Sequence, residues 1–379
     1  MSLKVMTVVG TRPEIIRLAA VIKRLDNTPS IEHVLVHTGQ NYDYSLNQVF
    51  FDDLGLRAPD HYMGVETTSL ASVLGGVLVG TEKALLQEKP DAMLVLGDTN
   101  SCVATVMGKR MRIPTYHMEA GNRCFDENVP EETNRRLVDH VADFNLPYTE
   151  HARRNLLNEG LHPRRILVTG SPMREVLEEF RDQIDASDAL DRLGLPAGEY
   201  FLVSAHREEN VDLPERLEKL LECLVAVRDE FGKRVVVSTH PRTRKRLEAL
   251  DTELDLSNID FMEPFGFHDY NKLQLKAACV LSDSGTISEE SSILGFPAIT
   301  LRDSIERPEA LDSGSIIMTG LEKDDVVRGV GIAMADGPVV SSHPAGYEIN
   351  DTSNRVVRFI SSTAGRHAQW AGIRRTEAN

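Results

Sequence analysis

Short runs of apolar, often β-branched residues alternate along the chain with longer segments in which apolar positions recur every three or four residues. The short runs predict strands at 4–9, 32–37, 92–96, 114–117, 143–146 and 166–168, and again at 200–204, 234–238, 259–261, 280–282 and 298–301. The longer segments predict helices, for example at 13–25, 69–87, 213–231 and 288–294. Because 92–96 has no polar position, it is typical of a strand buried on both faces of a parallel sheet. The alternation as a whole predicts a doubly wound α/β fold.

The series of strands predicts two domains. A chain of 379 residues is too long for one ordinary hydrophobic core, and the strands restart after a charged segment at 173–198. We therefore place an N-terminal domain at 1–172 and a C-terminal domain at 173–350. A helix at about 351–365 is expected to pack back on the N-terminal domain.

Charge and cysteine content narrow the classes of function. The formal net charge of −16 argues against non-specific binding to nucleic acid or to an anionic membrane, so neither is expected as a partner. The four cysteines stand far apart without a CxxC pair, which is typical of a reduced, cytoplasmic protein without a structural zinc site. No secretory leader and no apolar run of membrane-spanning length is predicted, and no metal site is expected.

Polar side chains follow the predicted strands of the N-terminal domain, at the sheet edge where open α/β proteins bind ligands. Arg12 follows the first strand near a helix N-terminus that favours phosphate, although a solvated loop arginine is the simpler interpretation. Arg17, one turn later, is a weaker candidate for the same role or a surface charge. Asp98 follows 92–96, either as a helix cap or as an acid–base group beside Glu119.

The stretch 117–136 concentrates carboxylates and guanidinium groups. Glu119 directly follows an apolar strand, where a carboxylate is desolvated and costs stability unless it is paired or used. Glu131 lies in the first turn of the next predicted helix, where the helix dipole would also stabilise a purely structural acid. Arg135, four residues later, could pair with it. Acids beside arginines at a strand end indicate proton chemistry on an anionic substrate.

The C-terminal domain repeats this arrangement. His206 follows the strand at 200–204 as a hydrogen-bond donor to phosphate, a general acid or a structural histidine, and His240 follows the next strand. Backbone N–H groups after the strand at 280–282 can bind a diphosphate or begin an ordinary capped helix. The further candidates of this domain are Ser284, Gly285 and Thr286 in that turn, Glu290 one helical turn later, and Arg307 beyond another strand end.

These blocks, in this order, resemble the non-hydrolysing UDP-N-acetylglucosamine 2-epimerase family. The motifs are Gly-Thr-Arg-Pro-Glu, Gly-Asp-Thr, His-x-Glu-Ala-Gly-x-Arg, Pro-Glu-Glu-x-Asn-Arg, His-Arg-x-Glu-Asn, Asp-Ser-Gly and Glu-Arg-Pro-Glu, from residue 4 to about residue 320. The resemblance implies two Rossmann-like domains in a glycosyltransferase-B-like architecture, with the active site in the interdomain cleft. It also implies a UDP-sugar substrate, no cofactor and a homodimer.

The resemblance also implies roles for individual residues. The acid–base carboxylates would be Asp98, Glu119 and Glu131. Arg135 would position the substrate, and Glu290 would bind the ribose. Positions near the diphosphate would be Arg12, His206, Ser284 and Gly285, and Tyr270 would lie near the uracil.

The implied reaction is inversion at C2 of UDP-N-acetylglucosamine through elimination of UDP, a 2-acetamidoglucal intermediate, and re-addition of UDP. Reprotonation from the other face calls for at least two acid–base groups. At 122–125 and at Thr286 the sequence is similar to the subgroup that forms UDP-N-acetyl-L-fucosamine, so a UDP-2-acetamido-2,6-dideoxy-L-hexose is the alternative substrate. A glycosyltransferase, a hydrolysing epimerase and a non-catalytic nucleotide-sugar binder are the other functions to be tested.

Overall fold

The computed structural model describes residues 2–39, 51–337 and 343–374. The chain divides into two compact units. Unit 1 consists of Met1–Arg123, Pro130–Glu178 and Glu348–Asn379, and unit 2 of Cys124–Val129 and Glu179–Tyr347. The short segment Cys124–Val129 thus belongs to unit 2, although the residues on both sides of it belong to unit 1.

Unit 1 contains a six-stranded parallel sheet in the order β3-β2-β1-β4-β5-β6. Its strands are β1 (Leu3–Val9), β2 (Ile31–His37), β3 (His61–Tyr62), β4 (Ala92–Leu96), β5 (Thr115–Met118) and β6 (Phe144–Leu146). The helices that follow these strands in the described residues are α1 (Arg12–Asp26), α2 (Leu70–Glu88), α3 (Ala104–Arg110), α4 (Pro130–Val141), α5 (Glu150–Asn158) and α6 (Met173–Glu179). As expected, every residue of β4 is buried.

Unit 2 contains a second six-stranded parallel sheet, in the order β12-β11-β10-β7-β8-β9. Its strands are β7 (Tyr200–Ser204), β8 (Arg234–Ser238), β9 (Ile259–Met262), β10 (Cys279–Ser282), β11 (Ala298–Thr300) and β12 (Ile317–Met318). The helices are α7 (Arg181–Ala186), α8 (Ala189–Leu193), α9 (Glu208–Val211), α10 (Pro214–Phe231), α11 (Pro241–Glu248), α12 (Phe267–Lys276), α13 (Ile287–Leu294), α14 (Glu309–Asp312) and α15 (Lys323–Asp336). The predicted doubly wound α/β class is therefore confirmed.

Local chemistry explains where the elements begin and end. Helix α10 starts with proline at its first position, where the missing N–H costs no hydrogen bond, and it ends at Gly232 with φ +64. The strand predicted at 166–168 is wrong: Ile166 forms one isolated bridge to Asn145 of β6. Strand β6 has three residues and is followed by Pro147, which has no N–H to donate to a neighbouring strand.

The last described elements of the chain belong to unit 1. Helices α16 (Thr352–Thr363) and α17 (His367–Trp370) follow unit 2 in sequence, and α16 packs against α1. The Thr352 hydroxyl, at the start of α16, donates to the carbonyl of Thr169 at 3.1 Å. In α17, the Trp370 ring lies 5.2 Å from the guanidinium carbon of Arg164 and 6.4 Å from the ring of Phe144, measured to ring centroids.

Helix α2 is the one described helix that is long and apolar enough to cross a membrane, judged by length and composition alone. The expectation that no segment has this length and apolarity is therefore corrected. A core helix of a globular protein passes the same test, and one face of α2, with Val73, Val77 and Leu85, is buried against unit 1. In the described parts of the chain, no group of three or more histidine, cysteine or acidic side chains could hold a metal ion.

Candidate active site

Each sheet has a point where the strand order reverses, and open α/β sheets bind ligands at such a point. In unit 1 this point lies between β1 and β4, and in unit 2 between β7 and β10. The loops that follow these four strands carry Arg12, Asp98, His206 and Ser284. Arg12 is the first residue of α1 and is half-buried.

Glu14, in the first turn of α1, links the loops that follow β1 and β4. Its Oε2 accepts a hydrogen bond from the N–H of Gly10 at 2.7 Å, and both oxygens lie 2.8 Å from the Ser101 hydroxyl. The hydroxyls of Thr11 and Thr99 donate to Oε1. Because these donors are neutral and the side chain is buried, desolvation raises the pKa of Glu14 to about 7. The sequence indicated Glu14 only as part of a motif, without this role.

Glu119 directly follows β5 and is buried. Its φ of +66 lies in the left-handed region, which costs a residue with a side chain about 1–2 kcal/mol. Nη1 of Arg17, a buried residue of α1, donates to Glu119 Oε2, and Nδ2 of Asn122 lies 3.5 Å from Oε1. The interpretation of Arg17 as a surface charge is therefore wrong, and the desolvated carboxylate has a cationic partner.

Asp98, in the loop after β4, forms an ion pair with Arg135 of helix α4. The guanidinium Nε and Nη2 atoms lie 2.8 and 2.7 Å from Asp98 Oδ2, and Nη1 donates to Glu132 Oε2 at 3.1 Å. Thr99 is the N-cap residue of the following 3₁₀ helix, so the structure favours an ionic role for Asp98 over a cap. Glu131 is half-buried in the first turn of α4, as expected.

His117, the residue two before Glu119, fixes the loop that carries Asp98. Its Nε2–H donates to the carbonyl of Gly97 at 2.7 Å, and its Nδ1 lies 2.9 Å from Oδ1 of the fully buried Asp139. A Cβ placed on Gly97 would lie 3.6 Å from Glu119 Oε2, so this loop and Glu119 are neighbours. We expected these two groups to meet if their strands were neighbours, whereas the buried support by His117 and Asp139 was not predicted.

His206 lies in the loop after β7. Asp283, which directly follows β10, forms hydrogen bonds with the backbone of this loop. The Asp283 carboxylate accepts the backbone N–H groups of His206 and Arg207. The ring of His206 lies 6.0 Å from the ring of His240, between centroids. His240 is exposed and is the N-cap residue of α11, where its Nδ1 accepts the N–H of Arg242 at 3.2 Å.

The turn after β10 is supported by Arg307. The Ser284 and Thr286 hydroxyls lie 2.9 Å apart, and Thr286 is the N-cap residue of α13. Nη1 of Arg307 donates to the carbonyl of Gly285, while Nη2 lies 3.2 Å from Oε2 of the fully buried Glu289. The structure therefore brings Arg307 directly behind the turn that the sequence associates with a diphosphate.

The two candidates for the nucleoside lie on neighbouring helices of unit 2. Glu290, on α13, accepts a hydrogen bond from Nε2 of Gln274 at 2.6 Å. Tyr270, on α12, is half-buried and packs against the apolar cluster of this unit. Both side chains belong to unit 2, as do Ser284 and Gly285.

Comparison with known proteins identifies the family. Residues 23–361 match the family model described as UDP-N-acetylglucosamine 2-epimerase. The chain belongs to the UDP-N-acetylglucosamine 2-epimerase family. A curated 2-epimerase of this kind from Methanocaldococcus jannaschii is 36% identical over 345 residues, which cover 88% of this chain and 92% of the relative.

Solved structures of the same family have this fold. The structure of UDP-N-acetylglucosamine 2-epimerase from Rickettsia bellii has a TM-score of 0.92 at 43% identity, covering 99% of this chain and 100% of that one. The Methanocaldococcus jannaschii epimerase in complex with UDP-GlcNAc and UDP has a TM-score of 0.88 at 34% identity, covering 95% and 100%. A glycosyltransferase at 11% identity and a TM-score of 0.59 shares the fold alone. The predicted family and glycosyltransferase-B-like class are confirmed.

Proposed function

We propose that this member of the 2-epimerase family interconverts UDP-N-acetylglucosamine and UDP-N-acetylmannosamine by inversion at C2. The observation that carries this proposal is the pair of carboxylates at the carboxyl edge of the unit 1 sheet, Asp98 and Glu119, each bound by a buried arginine. A protein that only bound an anionic nucleotide sugar would be hindered by two acids at this edge. The Methanocaldococcus jannaschii complex with UDP-GlcNAc and UDP supports the choice of substrate.

The chemistry explains why acids and diphosphate-binding groups are both required. The C2–H bond of the sugar is not next to a carbonyl carbon, so a base alone removes this proton poorly. When the C1–O bond breaks, its electron pair leaves with UDP, the C2 proton passes to a carboxylate, and a C1=C2 double bond forms. The reverse addition, with a proton delivered to the other face of C2, gives the epimer without an added oxidant or reductant.

We assign the proton transfers to the carboxylates of Asp98, Glu119 and Glu131, and substrate positioning to Arg135. His206 would donate to the departing diphosphate together with Arg12 and the turn of Ser284, Gly285 and Thr286. Glu290 would bind the ribose and Tyr270 would contact the uracil. His240, which lies beside His206, and Arg307, which supports Gly285, would complete the diphosphate site.

The decisive experiment is NMR of the purified protein with UDP-N-acetylglucosamine in heavy water. We expect UDP-N-acetylmannosamine that carries deuterium at C2, and product without this label would refute the mechanism. Stoichiometric release of free UDP and sugar would instead indicate a hydrolysing epimerase. No epimer without an added acceptor would indicate a glycosyltransferase. A Glu119→Gln protein serves as the control for adventitious exchange.

The same experiment tests the alternative sugar. UDP-2-acetamido-2,6-dideoxy-L-talose is supplied in place of UDP-N-acetylglucosamine, and the values of kcat/KM are compared. This alternative rests on the resemblance of residues 122–125 and Thr286 to the subgroup that forms UDP-N-acetyl-L-fucosamine. A higher kcat/KM for the 6-deoxy sugar would assign the chain to that substrate.

We also propose a homodimer that forms through the exposed face of α2. Val79 and Leu86, seven residues apart on this helix, are 69% and 60% exposed, and Gly75 on the same face has open space around it. Such a surface on an apolar helix is typical of a protein interface. Light scattering should give a mass near twice the 42.1 kDa of one chain, and Val79→Asp should halve it. A monomeric wild-type protein would refute the dimer.

A further inference from the structure

We propose that Asp283 is the positioning residue of His206. Asp283 would hold the imidazole so that Nε2 points away from the carboxylate, and its charge would favour the protonated ring that donates to the departing diphosphate. The identity of that diphosphate rests on the proposed function, whereas the coupling between the two side chains does not. Both residues belong to unit 2, so the proposal depends on contacts within one compact unit.

The carboxylate of Asp283 is fully buried beneath the loop after β7. Its oxygens lie 3.0 and 3.1 Å from the backbone nitrogen of His206 and 3.0 Å from that of Arg207. Nδ2 of Asn210 donates to Oδ2 at 3.1 Å and also to the carbonyl of Leu301 at 3.2 Å. These bonds fix the backbone from which the imidazole projects.

The imidazole is the ionisable partner of Asp283. Nδ1 of His206 lies 3.5 Å from Asp283 Oδ1. Among the residues that the structure describes, the His206 ring is the one ionisable side chain in contact with this carboxylate, because its other partners are neutral N–H groups. A buried carboxylate strongly favours a cation beside it. Protonation of His206 is therefore coupled to the negative charge of Asp283.

The orientation of the ring decides which nitrogen is available to a ligand. Nδ1 is the ring nitrogen that lies 3.5 Å from the carboxylate, so we assign the proton of the neutral ring to Nδ1 and the second proton of the cationic ring to Nε2. The His206 side chain is 39% exposed, so Nε2 can face a bound anion. Other ionisable side chains near this loop include His240, whose ring lies beside His206, and the pairs Arg207–Glu306, Arg242–Glu208 and Arg302–Glu209.

The test is the titration of His206 in the full-length protein, followed by NMR of histidine labelled in the ring. His206→Asn identifies the signal. In Asp283→Asn, which keeps the side-chain size but removes the charge, we expect the midpoint to move to lower pH by about one unit or more. Asp255→Asn is the matched control, because it removes an exposed carboxylate of unit 2 that lies beside Arg228, and it should leave the midpoint in place.

Binding of UDP provides a second readout, because the ring would act on the diphosphate. At a pH above both midpoints, Asp283→Asn should weaken UDP binding about tenfold, the factor that corresponds to a shift of one pH unit. In a His206→Asn background the same substitution should cause no further loss. Two results would overturn the proposal. One is an unshifted His206 midpoint in folded Asp283→Asn, and the other is an equally large loss of UDP affinity when Asp283→Asn is added to His206→Asn.

These readouts separate the positioning role from the proposed reaction. If the wild-type protein fails to form an epimer, the proposed function falls, while the His206 titration still tests the coupling. If Asp283→Asn does not fold, Asp283→Glu is tested instead, because it keeps the charge but moves it by one methylene. The His206 midpoint should then stay higher than beside a neutral side chain, while the affinity for UDP changes. A midpoint for Asp283→Glu equal to that of free histidine would refute the coupling.

Discussion

The buried carboxylate of Glu14 predicts a pH-dependent stability of unit 1. Burial among neutral donors raises its pKa from 4.5 to about 7. A group whose pKa is higher in the folded than in the unfolded chain contributes stability that is fully present below pH 4.5 and is lost as the pH rises through 7. Ionisation of Glu14 in the folded protein therefore opposes folding at neutral and alkaline pH.

The size of this stability loss follows from the difference between the pKa values of Glu14 in the folded and the unfolded chain. One pKa unit corresponds to about 1.4 kcal/mol, so a shift from 4.5 to about 7 makes the folded protein roughly 3 kcal/mol less stable at pH 8.5 than the same protein with no shift. Because the side chain is 1% exposed, solvent screening does not reduce this value much. Glu14→Gln cannot ionise and should lack this loss, although its amide adds a fixed cost at every pH.

Two measurements test the prediction. Urea unfolding at pH 5 and pH 8.5 should show that the wild-type protein loses stability relative to Glu14→Gln by about 3 kcal/mol over this interval. In glycine-labelled protein, the amide signal of Gly10 should titrate near pH 7, because this N–H donates to Glu14 Oε2 at 2.7 Å. Glu215→Gln, on an exposed position of α10, is the control and should follow the wild-type pH dependence. Parallel stability curves for wild type and Glu14→Gln, or a Gly10 titration near pH 4.5, would refute the reasoning.

Further substitutions test the ion pairs and the turn of the candidate site. Glu119→Gln should reduce turnover by at least about a hundredfold while UDP binding persists, measured by kinetics and calorimetry; near-normal kcat would remove Glu119 from the mechanism. Arg17→Met leaves the buried Glu119 without its cation and should lower the free energy of unfolding by about 3–5 kcal/mol, with Arg17→Lys as the milder control. Gly285→Ala would place a Cβ 3.0 Å from Nη1 of Arg307, so UDP affinity should fall, whereas Gly365→Ala affects an open position without a positive φ and should not change it. Equal UDP affinity for both alanine variants would contradict the tight packing behind the turn.

Much of the fold could be predicted, because the pattern of apolar residues is strong where strands are long. Strands such as β4 and β7 are continuous apolar runs, and their predicted ends agree with the structure. The two-residue strands β3 and β12 were not predicted, since two residues carry no periodicity. Around 166–168 two backbone N–H groups do donate to Asn145 and Pro147, but Pro147 has no N–H to return a bond, so only one isolated bridge forms.

The candidate site shows a different limit of sequence reasoning. Asp98, Glu119 and Arg135 could be named from their positions at strand and helix ends, but their partners could not. Arg17 and Glu119 are separated by 102 residues, and Arg135 contacts Asp98 at a separation of 37. Such contacts are set by the order of the strands, not by local spacing. The hydrogen bonds of the buried carboxylates Glu14, Asp139 and Asp283 could not be predicted for the same reason.

The single tryptophan of the chain gives a spectroscopic consequence of the way its last helices dock. Trp370 lies in α17, with Arg164 over its ring, and belongs to unit 1. Its fluorescence therefore reports on the docking of the last helices onto unit 1, while far-ultraviolet circular dichroism reports on both units. If the two signals give different thermal unfolding midpoints, the two units unfold one after the other. If the midpoints coincide, the two units unfold in a single cooperative transition.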